Sequence, residues 1–175
     1  MPRSFDISAD YERDVEAVLR AYREEDYWLA RLAASGVDEA RLESLRLGGE
    51  SGTDDTIDVV TLQVIRSDKL PALVTQLHRG DLCIRREETW GPVSGGVALA
   101  TVAGSIVDAP ANVSGTAELA PTGPSVGSRL ECRITVHVRV PLIGGKLENF
   151  VGTRLADLVV AEQRFTTEWI STRGS

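Results

Sequence analysis

Two charged residues stand where a helix should be apolar. Toward the C-terminus, Leu147, Phe150, Val151, Leu155, Leu158, Phe165 and Trp169 recur at helical spacing. At about 100° per residue, Arg154 and Glu162 fall in the same stripe, beside Leu158. A charge there needs a partner, a wet cavity or a route to the surface. Two roles are open. Each residue snorkels or pairs with a strand residue such as Arg85, Arg86 or Glu87, or each orients a polar group of a bound ligand. A desolvated carboxylate could also serve as an acid or base. Arg85 or Arg86 is the expected partner of Glu162, because strand alternation turns one of two neighbours inward.

Other motifs carry less. Gly123-Pro124-Ser125-Val126-Gly127 matches G-x-S-x-G, but a nucleophile elbow needs a helix immediately after it, and here a strand follows. The only bases are His78 and His137, and His137 belongs to the wet face of its strand. A hairpin turn is expected. Gly144-Gly145-Lys146 lacks the earlier glycine of a phosphate loop, and Leu147 replaces the hydroxyl that would reach magnesium, so a helix start is expected. Asn112-Val113-Ser114 is a glycosylation sequon without a secretory signal before it. Two histidines and two cysteines at scattered positions give no metal-ligand spacing, and no metal or other cofactor is expected.

The 175 residues suit one domain spanning 1–175 with a real core. Hydrophobic residues make up 42% and charged residues 26%, which argues against disorder. The net charge of -7 argues against a nucleic-acid partner or an anionic membrane face, since both need a cationic footprint. No apolar run approaches the roughly 20 residues of a membrane span, and Met1 to Asp10 lacks a signal-peptide core. Cys83 and Cys132 lie in separate strand-like runs and read as buried free thiols. A cytoplasmic protein, monomer or homodimer, is expected.

Stepping along the chain, Arg3 to Ser8 reads as a strand. Ser8 or Asp10 caps a helix with Tyr11, Val15, Val18, Leu19 and Tyr22 on its face. Glu24-Glu25-Asp26 opens a second helix carrying Trp28, Leu29 and Leu32, and Gly36 stops it. Strands follow from Glu43 to Leu47 and from Ile57 to Ile65. A short helix is predicted from Asp68 to Gly80, with Pro71 in its first turn and Leu70, Leu73, Val74 and Leu77 on its face. That segment is a candidate lid or edge cover. Leu82–Trp90, Val97–Val107, Val113–Leu119 and Arg129–Val140 are further strands, and their short links require antiparallel pairing. Arg129–Val140 alternates most cleanly, with Leu130, Cys132, Ile134, Val136, Val138 and Val140 on one face. One long helix then runs from Gly144 to about Ser171.

This order, with the Val140-Pro141-Leu142-Ile143-Gly144-Gly145-Lys146-Leu147-Glu148 hinge, Ala161-Glu162-Gln163-Arg164-Phe165, Glu168-Trp169-Ile170 and the Glu88-Thr89-Trp90 strand, resembles the START/SRPBCC superfamily. The match is to a single-domain branch known only as a domain of unknown function. The resemblance implies an α+β helix-grip fold, with a curved antiparallel sheet of about seven strands around the C-terminal helix. It also implies an apolar cavity between the two, and no shared catalytic residue. Leu82, Ile84, Trp90, Ile134, Val136 and Val138 from the strands are the candidate cavity wall. Leu147, Val151, Arg154, Leu158, Glu162 and Phe165 come from the helix. Trp90, Phe150, Phe165 and Trp169 either line that pocket or fill the core. The leading expectation is binding or carriage of a hydrophobic small molecule, lipid-like or polyketide-like. An enzyme of cyclase/aromatase or hydrolase type on the same scaffold is the alternative. A protein-interaction module with a filled pocket is the second alternative.

Overall fold

A computed structural model describes residues 2–49, 51–76, 78–123 and 126–173. Its elements are β1 Arg3–Tyr11, α1 Val15–Tyr22, α2 Glu25–Ala33, β2 Glu39–Leu47, β3 Ile57–Ile65, α3 Ala72–Thr75, β4 Leu82–Trp90, β5 Ala98–Ile106, β6 Ala111–Pro121, β7 Ser128–Val138 and α4 Gly144–Arg173. Seven strands form one antiparallel sheet in the order β1-β7-β6-β5-β4-β3-β2. The first strand closes against the last, with Phe5 opposite Ile134 and Tyr11 opposite Ser128. This is the helix-grip architecture, an α+β fold.

Period-two patterning sets the strand faces. In β7, Ser128, Leu130, Ile134, Val136 and Val138 are buried, while Arg129, Glu131 and Arg133 are exposed. In β4 the inward positions are Leu82, Ile84, Arg86, Glu88 and Trp90, so two charged residues sit among apolar ones.

Several local expectations are corrected. β1 continues to Tyr11 because β7 extends far enough to pair with it, so Ser8 and Asp10 lie within the strand. Asp14 caps α1 instead, accepting from the Ala17 amide at 2.8 Å. Tyr11 is a buried strand residue, not part of a helical face. In α2, Tyr27 and Trp28 are buried and Leu29 is 47% exposed. β2 begins at Glu39 rather than Glu43. The predicted helix after β3 is broken in two, a single 3-10 turn at Ser67–Lys69 and the one-turn α3. Pro71 causes the break, because it holds Leu70 in extended backbone. Leu77 of that segment, and Ser125 of the G-x-S-x-G turn, lie outside the described residues.

The long helix α4 rests mainly on β1 and β7. The Phe5 ring lies directly against Gly152, where a Cβ would collide with it. Two apolar clusters fill the molecule. The larger lies beneath α1, α2 and the C-terminal half of α4. The smaller joins Val136, Val138 and Leu147 to Phe5, Val151 and Leu155, and Leu73 of α3 packs onto it. Between them, the inward-facing Ile84, Val102, Ile106 and Val113 remain half-buried. Glu148 joins the hinge to the sheet, accepting from the Val138 amide at 3.0 Å. Leu142 stands in the hinge fully exposed, with φ 70°.

Candidate functional site

Three elements converge on one charged group. α4 carries Glu162 inward, β4 turns Arg86 inward by alternation, and α2 presents Arg31 one turn after Tyr27. Arg86 grips the carboxylate with both terminal nitrogens, Nη1 to Oε2 at 2.8 Å and Nη2 to Oε1 at 3.1 Å. Arg31 donates from Nε to Oε2 at 3.0 Å and pairs through Nη2 as well. Arg86 Nη2 also lies 3.3 Å from Glu88 Oε2.

The cluster is largely removed from solvent. The Arg31 and Glu162 side chains are 9% and 16% exposed. Burial acts to raise the Glu162 pKa, but the guanidiniums of Arg31 and Arg86 outweigh it and hold the group at about 2. Burial likewise acts to lower the Arg86 pKa, and Glu162 and Glu88 reverse that and raise it. Cys132, on the inner face of β7, is pushed up to about 11 by burial and then by Glu88, which leaves an inert thiol.

A hydroxyl chain backs the ion pairs. Arg31 Nη1 donates to the Tyr27 hydroxyl at 3.3 Å, and Tyr27 meets Thr166 Oγ1 at 2.6 Å. Thr166 in turn donates to the Glu162 carbonyl at 2.7 Å. The Arg31 guanidinium lies 4.7 Å from the Trp28 ring centre. Arg31 is thus locked on its face and on its edge.

Beside this cluster is a cavity of about 90 Å³. Trp28, Leu158 and Phe165 give it apolar wall, and Thr61, Gln63 and Glu88 give it polar wall. A larger open depression, about 830 Å³, lies on the outer face of the sheet among Asp6, Thr101, Glu118, Glu131 and Arg133. Its walls are the wet sides of the strands. Among the described residues, no group of three His, Cys, Asp or Glu side chains gathers as a metal site.

The family model described as protein of unknown function (DUF2505) matches residues 6–170. The chain belongs to the DUF2505 family. An uncharacterized protein of Mycobacterium tuberculosis is 64% identical to it over 171 residues, 98% of each chain. Among solved structures, a START superfamily protein from Mycobacterium smegmatis superposes with TM-score 0.53 at 8% identity, over 97% of each chain. Norcoclaurine synthase from Thalictrum flavum, in complex with dopamine and hydroxybenzaldehyde, superposes with TM-score 0.51 at 12% identity. That match covers 96% of this chain and 88% of the synthase. These likenesses establish a START-like fold for this DUF2505 chain. No helix among its described residues is long and apolar enough to cross a membrane.

The residues singled out from the sequence divide between two places. Leu158, Glu162 and Phe165 gather at the cavity. Val136, Val138, Leu147 and Val151 belong to the smaller cluster at the other end of α4. Trp90 is buried in the larger core beside Tyr22, with ring centres 5.5 Å apart. Leu82 and Ile134 are buried, and Ile84 is half-buried on the inner face.

Arg154 is a correction. It is exposed, with its guanidinium 5.1 Å from the Phe150 ring centre. α4 buries Leu147, Glu148, Gly152, Thr166 and Ile170, and Arg154 stands about 200° round from Gly152. Phe150 stays with Arg154 and outside the aromatic group of Tyr22, Tyr27, Trp28, Trp90, Phe165 and Trp169.

Arg86 is the inward member of its pair. Arg85 faces the other way, toward Glu87 and Glu43. Arg31, Tyr27, Glu88, Thr61 and Gln63 join the site without being candidates in the sequence. Tyr27-Trp28 and Arg31-Leu32 form two neighbouring pairs one helical turn apart, a signal that places Arg31 on the inner face of α2.

Proposed function

We propose that this chain binds an apolar small molecule carrying one polar end. The ligand lies between the inner sheet face and α4, with its polar end beside Arg31, Arg86 and Glu162. The observation that carries this reading is a charged cluster at the wall of a cavity, next to inward aliphatic side chains that stay half-buried. Polar groups gathered at one end of an otherwise apolar interior fit a ligand with one polar end, since such groups fix its orientation.

The cavity of about 90 Å³ has room for a head group. It is about three liquid-water volumes. A larger ligand lays its body along Ile84, Val102 and Ile106. Admitting it requires the segment from Ser67 to Thr75 to lift Leu73 away from the smaller cluster. That segment is held by short polar contacts, among them Lys69 to Asp38 and the Ser67 amide to Asp81 at 2.9 Å.

Binding fits the cluster better than catalysis. An acid or base working near neutral pH needs a matched pKa. Glu162 is held at about 2, with both oxygens engaged. This suits a group that fixes geometry.

Native mass spectrometry of freshly purified protein, with titration of an environment-sensitive apolar fluorophore, tests the proposal. A co-purified organic mass, or saturable one-to-one binding abolished by Leu158→Trp, is the expected result. Neither a bound mass nor saturable binding would overturn it.

A further inference from the structure

The charges at the cavity balance. Arg31 and Arg86 carry two positive charges, and Glu162 and Glu88 carry two negative ones. No other charged residue lines the cavity among the described residues. Both guanidiniums are already engaged within the cluster. Arg31 spends Nε and Nη2 on Glu162 and Nη1 on Tyr27, while Trp28 covers its face. Arg86 spends both terminal nitrogens on Glu162, and Nη2 also meets Glu88.

Two neutral polar groups are left over. The Thr61 hydroxyl and the Gln63 amide both line the cavity from β3, and neither has a side-chain hydrogen bond to a described residue. Thr61 is itself only 6% exposed. Both groups face the cavity with their hydrogen-bonding capacity turned toward its contents, so a ligand can take the place of water on them.

Resting on the binding reading above, we infer that the head-group end of this pocket selects a neutral hydrogen-bonding group, a hydroxyl or a carboxamide, over a carboxylate or an amine. A carboxylate would bring an unmatched negative charge beside Glu88 and Glu162, into a cluster whose two guanidiniums are already balanced by two carboxylates. An amine would bring an unmatched positive charge. Either charge loses its hydration without compensation. A hydroxyl or carboxamide leaves the balance intact and can both donate to and accept from Thr61 and Gln63.

The test uses four probes with one chain length: decanol, decanamide, decanoate and decylamine, titrated at neutral pH against the full chain. Decanol and decanamide should bind at least about tenfold more tightly than decanoate and decylamine. Thr61→Val keeps the shape of the side chain and should weaken decanol several-fold while leaving the melting temperature nearly unchanged. Glu162→Gln leaves one positive charge unmatched and should move decanoate up the order. The inference is overturned if decanoate equals or exceeds decanol on the unaltered protein, or if Thr61→Val leaves decanol binding intact. It is also overturned if folded Glu162→Gln keeps the original order. Should Glu162→Gln fail to fold, the order on the unaltered protein and the Thr61→Val result decide. If none of the four probes binds, the binding reading itself falls, and this inference with it.

Discussion

Glu162 and Arg86 meet across the concave interior of the sheet. Their paired contacts are 2.8 and 3.1 Å, yet α4 rests on β1 and β7 while Arg86 belongs to β4, with β5 and β6 between. The two side chains bridge the hollow where apolar packing does not close it. Removing the carboxylate strands two largely buried guanidiniums. Glu162→Ala should therefore cost roughly 3–5 kcal/mol in chemical denaturation. Arg85→Ala, two-fifths exposed on the other face, should cost under about 1 kcal/mol.

The pair also fixes an acid response. The Glu162 pKa falls from 4.5 in the unfolded chain to about 2 in the fold. A depressed carboxylate contributes stability that is complete above the unfolded pKa and is lost as pH falls toward the folded one. Stability should decline through the window from about pH 4.5 to about 2, by on the order of 3 kcal/mol from this group. Glu162→Gln should flatten that part of the profile. Equal slopes in the two proteins would remove Glu162 from the acid response.

Contact between α4 and β1 is testable at Gly152. Gly152→Ala puts a methyl group into the Phe5 ring and should destabilise by roughly 1–3 kcal/mol. Phe5→Leu makes room, so the double variant should lose less than the sum of the two single losses. Additive losses would mean that the residues do not touch.

Much of the fold was legible because period-two and helical patterning are strong in this chain. β7 shows the alternation in full, and Arg86 followed from it. The apolar stripe of α4 does not coincide with the face the helix buries. Beside Leu147 and Ile170, its buried residues include Glu148, Gly152 and Thr166, small or polar residues that hydrophobicity does not flag. Leu158 and Phe165, more visible in the sequence, are only half-buried, so a stripe centred on them includes Arg154, which the structure leaves exposed. Arg31 was hidden for a related reason. Its burial depends on Glu162, 131 residues away, and no local pattern carries that distance.

Backbone strain in the hinge gives a stabilising change. Leu142 is fully exposed, with φ 70° in the left-handed region. A leucine there costs about 1–2 kcal/mol, a cost that asparagine reduces. Leu142→Asn should raise stability by roughly 0.5–1 kcal/mol, read from the denaturation midpoint. A loss of stability would show that the Leu142 side chain has a partner.

The most direct measurement is a methyl-detected NMR titration with decanol. Binding between sheet and helix predicts saturable shifts concentrated at Leu158, Ile84 and Val102, with little change at Leu99 on the outer face. Shifts centred on Leu99 and the outer depression, or none at saturating decanol, would contradict an interior site.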